Sequence, residues 1–434
     1  MKRNATSIVV ATKTWENCPV LRRLLLPTDH VERALTLATM TASLATGLFY
    51  SVSALYFTRV IGLSATTVGL GLTIAGAVGV AASFGGGLAA DRVGADRLQL
   101  WANAVQGLAL LAYVFAGSAP VFVLVACVAV GSRSLQGTAK ATLQARWFTG
   151  AERVEIRARL RVITNVFIGL GTVLAGAALL VDTATAYRTT MVAVGLFAAL
   201  ATVPLAGLRD RVEGFGTCMD VHLATDRPTG PSPLRDRTYL TSVALNSIIA
   251  MQFSLQSVGV PLWIVTRTEA PEVVISVLLV LNTVFVALFQ VRAARGTHDI
   301  RVAGRTVRRG SLLLAAACLL YAAAGSAGAV VAVVVLVVAE LLGSWAEVWC
   351  EAGGWGLAFE LADPVSAGRY QGLSNTGYSL AGMVAPALVT ATAVDHGLPG
   401  WVFLAAVFAL AGTAVAAVAR HAAGRRTADV TLAA

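Results

Sequence analysis

The stretch GGGLAADRVGADRLQLW, Gly85 to Trp101, decides how this chain is read. Charged residues make up only 13% of the 434 residues, yet Asp91, Arg92, Asp96 and Arg97 fall within seven positions here. Apolar runs of membrane length lie on both sides. Two Asp-Arg pairs around Val93-Gly94-Ala95 therefore mark a short polar turn between two membrane-buried segments.

Outward from that turn the same texture continues. The chain is 57% apolar, against about 45–50% in soluble domains. Apolar runs of roughly 20 residues, enough to cross a bilayer core, recur throughout. The roughly ten-residue alternation of a membrane barrel is absent. The sequence predicts an all-α integral membrane protein with twelve spans, at 34–58, 64–90, 98–117, 120–146, 160–181, 187–208, 239–265, 272–291, 310–327, 329–357, 370–394 and 398–419. A polar break at 209–238 carries Arg209, Asp210, Arg211, Pro228, Pro231, Pro233, Arg235 and Arg237. It divides the spans into two six-helix halves, 34–208 and 239–419, with tails at 1–33 and 420–434.

The net charge of +10 would suggest nucleic acid in a soluble chain. Placement decides otherwise, because Lys and Arg gather in cytoplasmic loops. Twenty-seven basic residues fall in the tails and even-numbered loops, Arg161 at the edge of span five being counted with its loop, against Arg59, Arg188 and Arg267 in the odd ones. This places both termini in the cytoplasm and the protein in the inner (plasma) membrane, with the lipid bilayer rather than nucleic acid as partner. The five cysteines have no metal or disulfide spacing, the histidines are isolated, and no phosphate-binding Gly-x-x-x-x-Gly-Lys loop occurs. No metal or other cofactor is expected, and no enzymatic constellation is readable. Two six-span halves joined by a long linker is a layout of secondary transporters, with ligand sites near the midplane.

Two segments carry a resemblance. Gly87, Asp91, Arg92 and Gly94 match the loop between spans two and three of the major facilitator superfamily, although Ala95 and Asp96 replace two usual basic residues and Arg97 arrives one position late. In span four, Arg133, Gln136 and Gly137 fit an Arg-x-x-Gln-Gly pattern that resembles proton-linked exporters of that superfamily. The span-five Gly-Pro pair of those exporters and the span-one acid of some are missing. The resemblance implies a monomer whose Gly87–Arg97 loop is a conformational latch, with Asp91 near the start of span eleven around Gly368 to Gly372. It also implies a central cavity lined by spans one, four, seven and ten.

Those four spans carry polar stripes. Arg133, Gly137, Lys140 and Gln144 step by 4, 3 and 4 along span four and so share a face. Glu340, Ser344, Glu347 and Glu351 do the same in span ten, Thr39, Ser43, Thr46, Tyr50 and Ser53 in span one, and Gln252 and Gln256 in span seven. At about 1.5 Å per residue, Arg133 lies about 20 Å in and Glu340 about 16 Å, so a pair between them is expected. Intramembrane charges are costly and usually face a cavity or a partner. Arg133, Lys140, Glu340 and Glu347 are the candidates for proton coupling. A purely structural pair, snorkelling of Lys140 and Glu347, and a packing role for the hydroxyl stripe remain open alternatives. Arg146 and Glu351 are read as interfacial, and Trp345, Trp349 and Trp355 as anchors or packing. The resulting expectation is proton-coupled export of a small organic molecule by alternating access. Uptake or facilitated diffusion of an anionic metabolite, and a non-transporting sensor or scaffold, are the alternatives.

Overall fold

The computed structural model describes residues 27–220 and 232–433, with side chains to 425. The tail before residue 27 and the middle of the 209–238 linker lie outside the described residues. Eleven helices are long and apolar enough to cross a membrane, and a twelfth, Ala184–Leu200, is shorter at 17 residues. In chain order they are α1 (His30–Val60), α2 (Ala65–Val93), α3 (Ala95–Phe115), α4 (Ala119–Trp147), α5 (Ala151–Val181), α6 (Ala184–Leu200), α7 (Arg237–Arg267), α8 (Val273–Ala294), α9 (Ile300–Ala324), α10 (Ala329–Glu360), α11 (Ala367–Val394) and α12 (Leu398–Arg425, continuing helically to Ala433).

Local chemistry sets the helix starts. Asp29, Ser64, Thr183, Asp236 and Asp299 each accept a hydrogen bond from the backbone N–H three residues on, satisfying a donor that the first turn leaves free. Gly94, at φ +93°, makes the sharp turn between α2 and α3 that an L side chain would strain. Wide π turns interrupt α7 at Leu255–Gly259 and α11 at Thr390–Val394. Each lies beside a proline, Pro261 and Pro386, whose missing N–H upsets the helical ladder.

Helices α5 and α9 begin nine or ten residues earlier than the apolar runs at 160 and 310 suggest. A hydropathy reading stops at the first arginines, whereas the helix continues through them because one face stays packed. The linker also departs from expectation. Its first residues form short helices at Leu208–Arg211 and Phe215–Met219. Leu208, Phe215 and Met219 are buried in the same core as Val31, Leu143 and Ile156, so this part is docked structure.

The helices form two six-helix halves, α1–α6 and α7–α12. On the face away from the termini, one apolar core lies wholly within the first half and another wholly within the second. Cores that combine both halves occur on the terminus-bearing face. Val154 and Ala158 of α5 pack with Ala294, Trp355 and Phe359, and Phe84 of α2 packs with Tyr239, Tyr370 and Leu373. The halves are packed together at the termini, while among the described residues no apolar core joins them at the opposite face, which marks the first as the closed face and the second as the parted one.

Candidate functional site

The closed face is held at the α2–α11 crossing. Asp91 accepts hydrogen bonds from the backbone N–H groups of Gly368 (2.8 Å) and Arg369 (2.9 Å) at the start of α11, and pairs with Arg146 of α4 at 2.8 Å. The Asp91 and Arg146 side chains are 1% and 4% exposed. A carboxylate suits this position because a helix start presents unpaired N–H groups and a partial positive charge. Close approach requires glycine on both sides: a Cβ at Gly87 would stand 3.0 Å from the Cα of Gly372. Arg146 is a correction to its interfacial reading. Thr138, Thr142 and Arg146 step by four along the face of α4 turned to α2 and α11, and Thr138 bonds to Ser83 and Asn375. That spacing was the available signal.

The rest of the Gly85–Trp101 loop faces the docked linker. Arg209 bonds Asp96 at 2.6 and 2.9 Å and Asp220 at 2.5 and 2.8 Å. Arg146 also donates to the carbonyl of Met219 at 2.6 Å. The acidic residue at 96, where the resembling loops are basic, thus has its counter-charge in the linker. Arg97 reaches Asp220 only at 3.9 Å, and Arg92 is exposed, with no ion pair among the described residues.

The Arg209 guanidinium beside Asp220 holds that carboxyl below the usual carboxylate range. A lowered folded value means that the pair's stabilisation is present above the ordinary carboxylate value, about 3.9, and disappears only as pH falls through the lowered one. Arg209→Ala removes about 1–2 kcal/mol of docking, a factor of about 5–30 in the undocked population. Cys218, whose thiol donates to the Arg146 carbonyl, reports it. With the other cysteines replaced, maleimide labelling of Cys218 should quicken by that factor. In the unsubstituted linker, labelling corrected for thiolate content should be flat from about pH 5 to 8.

The intramembrane charges pair differently from expectation, and one of the pairs crosses between the halves. Arg133 and Glu340 form no ion pair, and neither do Lys140 and Glu347. Glu340, 4% exposed, accepts from the Tyr321 hydroxyl of α9 at 2.7 Å within the second half. Arg133 is exposed and donates to the Tyr50 hydroxyl at 2.6 Å, its guanidinium 5.4 Å from that ring. Glu347 instead pairs across the halves with Arg161 of α5 at 3.1 Å, and also accepts from Asn282 of α8 at 2.9 Å. Ser344 accepts from the same Asn282 at 3.1 Å. Glu351 is buried and accepts from the Tyr378 hydroxyl at 2.9 Å, a second correction to an interfacial reading. Lys140 has no hydrogen-bond or ion-pair partner among the described residues and lies within electrostatic range of Arg133, Arg157 and Arg161.

Arg157 and Arg161 are the residues that sequence reading missed, because it counted them in a loop. They extend an i, i+4, i+8 row from Arg153, and the helix carries that row inward. Arg161 lies 5.0 Å from the Phe253 ring, and Arg157 lies 5.3 and 5.4 Å from Trp355 and Phe359, distances typical of cation–π contacts.

The neutral stripes divide. Thr46, Phe49, Leu72, Gln106 and Arg133 help to line a cavity of about 60 Å³ in the first half. Tyr50 is exposed beside Arg133, Ser53 is half-buried, and Thr39 and Ser43 are buried. Gln136 does not face a cavity; it bonds Asn103 of α3. A Cβ at Gly137 would meet open space. Gln252 is fully buried with both amide atoms unpartnered among the described residues, as is the Gln256 amide nitrogen. Trp345 and Trp349 pack as a chain of rings with Phe285 and Phe289.

Comparison with known proteins gives the same architecture. The chain is similar to a bacterial homologue of the iron transporter ferroportin in its outward-facing state (16% identity, TM-score 0.69, covering 90% of this chain and 98% of that one). It is also similar to a human organic anion transporter, TETRAN (15%, 0.67, 90% and 99%). A third similar structure is the proton:xylose symporter XylE bound to 6-bromo-6-deoxy-D-glucose (13%, 0.66, 89% and 94%). At these identities the likeness shows the fold. No curated protein sequence matches the chain. Residues 35–386 match the model of the Major Facilitator Superfamily. A multi-pass membrane chain with this fold and this match points to a secondary transporter rather than to an enzyme, and it belongs to the major facilitator superfamily.

Proposed function

We propose that this transporter exports a small organic molecule by alternating access, driven by inward proton movement. The observation that supports this most is the Arg161–Glu347 ion pair, which ties the two halves together beneath the parted face. The basic residues gathered in the tails and linking loops support a cytoplasmic place for the closed, terminus-bearing face, and on that reading this state opens outward. A proton arriving from the open side neutralises Glu347 and removes the tie. The cytoplasmic face can then part, with Asp91 leaving the start of α11 as the latch. Loss of the proton to the cytoplasm, accompanied by solute binding, restores the pair and returns the cavity outward. A conformational change needs such a difference in contacts between its two states. The carboxylate assigned to coupling is therefore Glu347, because Glu340 is bonded inside one half in this state.

The test is proton movement in everted vesicles, read by a pH-sensitive dye as candidate solutes are added. The expected result is solute-dependent collapse of the gradient that Glu347→Gln loses at matched protein level. Undiminished collapse in the variant would remove Glu347 from the coupling. No collapse with any solute, from well-folded protein, would favour uptake or facilitated diffusion of an anionic metabolite. Arg133 and Lys140, neither of which forms an ion pair with a carboxylate among the described residues, give that second reading its support.

A further inference from the structure

The charged groups between the halves are not matched evenly. The three buried α10 carboxylates each have a partner: Tyr321 for Glu340, Arg161 and Asn282 for Glu347, and Tyr378 for Glu351. Of Arg133, Lys140, Arg157 and Arg161, the cations of α4 and α5 nearest these carboxylates, only Arg161 forms an ion pair among the described residues. Arg133 has a phenol, Arg157 has two ring faces and one guanidinium nitrogen with no partner, and Lys140 has neither ion pair nor hydrogen bond among the described residues. Unpaired cations at membrane depth are costly, and they accumulate on one wall where a ligand completes them. What this wall lacks is an anion.

The geometry points to a small organic anion as the transported solute, its carboxylate, sulfonate or phosphate seated over Gly137 between Arg133 and Lys140. The two cations lie on one face of α4, seven residues or about 10 Å apart along the axis. Gly137 lies between them, and the space a Cβ would take is empty. Both side chains are long enough to converge on one group there, and Arg157, within electrostatic range of Lys140, adds to the attraction. The apolar part of the solute has a place beside Arg133, in the cavity of about 60 Å³ that Phe49, Leu72 and Leu110 help to line. An anion also answers the export cycle: it brings the negative charge that the cationic wall otherwise lacks once Glu347 has returned to Arg161. The inference rests on the transporter reading for the carriage of the solute, but binding is tested without transport.

The experiment is calorimetric titration of the full-length protein in lipid nanodiscs. The probes are benzoate, p-toluenesulfonate and phenyl phosphate, beside the neutral benzamide, the cation benzylamine, inorganic phosphate and chloride. Expected is binding of one or more of the organic anions, with benzamide and benzylamine at least tenfold weaker. Arg133→Ala and Lys140→Gln should each lower the affinity at least tenfold. Gly137→Leu should do so while keeping every charge, and monodispersity on a sizing column shows that each variant is folded. Equal binding of benzoate and benzamide, or no binding of any organic anion, would overturn the proposal. So would full affinity in Gly137→Leu, or inorganic anions binding as tightly as the organic ones. Because no proton flux enters the measurement, binding with failed coupling would fault the export reading alone.

Discussion

In the Asp91→Asn protein, transport is expected to fall by about 10²-fold to several 10³-fold while the chain still inserts and folds. The closed face loses the anion that accepts from Gly368 and Arg369 and neutralises Arg146. An asparagine keeps the shape, but it leaves the Arg146 guanidinium buried without a counter-charge. Breaking one side of a buried pair costs about 3–5 kcal/mol, and each 1.4 kcal/mol is tenfold in population. That cost falls on the closed state alone if the contact parts when the face opens, so the equilibrium shifts rather than the fold. Arg92→Gln is the control. Arg92 is in the same loop but exposed, with no ion pair among the described residues, and should transport within about twofold of wild type. Solute uptake into everted vesicles at matched expression measures both. An Asp91→Asn rate near wild type would remove Asp91 from the conformational balance.

The second large effect is expected at Glu347. Glu347→Gln should lower proton-driven flux by about 10²-fold or more, while solute–solute exchange without a gradient falls much less. Glutamine still accepts from Asn282 but carries no charge for Arg161 and cannot gain or lose a proton. The inter-half tie is then absent in every state, and nothing about the cycle responds to proton concentration. Net efflux and counterflow measured on the same vesicles separate these outcomes. An equal loss in both would show that Glu347 serves binding or folding rather than coupling.

Much of this was legible in the sequence. Span number, the two halves and the Gly87–Gly94 turn follow from hydropathy and spacing, because the bilayer makes every apolar run of about 20 residues explicit. The meeting of Asp91 with Gly368 was implied only by resemblance to the family loop. Pairing inside the membrane was less legible. Helix periodicity put Arg133 and Glu340 on polar faces at similar depths, but depth does not decide partners. Tyr321, an uncharged residue in an apolar stretch of α9, takes Glu340, and Arg161 takes Glu347. Arg157 and Arg161 were hidden by a hydropathy boundary drawn at the first charges, although their four-residue row continues the helix. Arg146 and Glu351 looked interfacial for the same reason. The docking of Phe215 and Met219 under the loop is a long-range packing event with no local signal in a polar segment.

The most direct test of the account is distance measurement across the two faces in one sample. Spin labels at Thr66 and His396, both exposed, report the parted face, and labels at Val93 and Val365, 46% and 40% exposed, report the closed one. Without solute, the wild-type protein should show a short, narrow distance at the terminus-bearing face and a long one opposite. Asp91→Asn and Glu347→Gln should each move the population the other way, lengthening the first distance and shortening the second. Identical distributions in the wild type and both variants would contradict the claim that these two charge contacts hold that face shut.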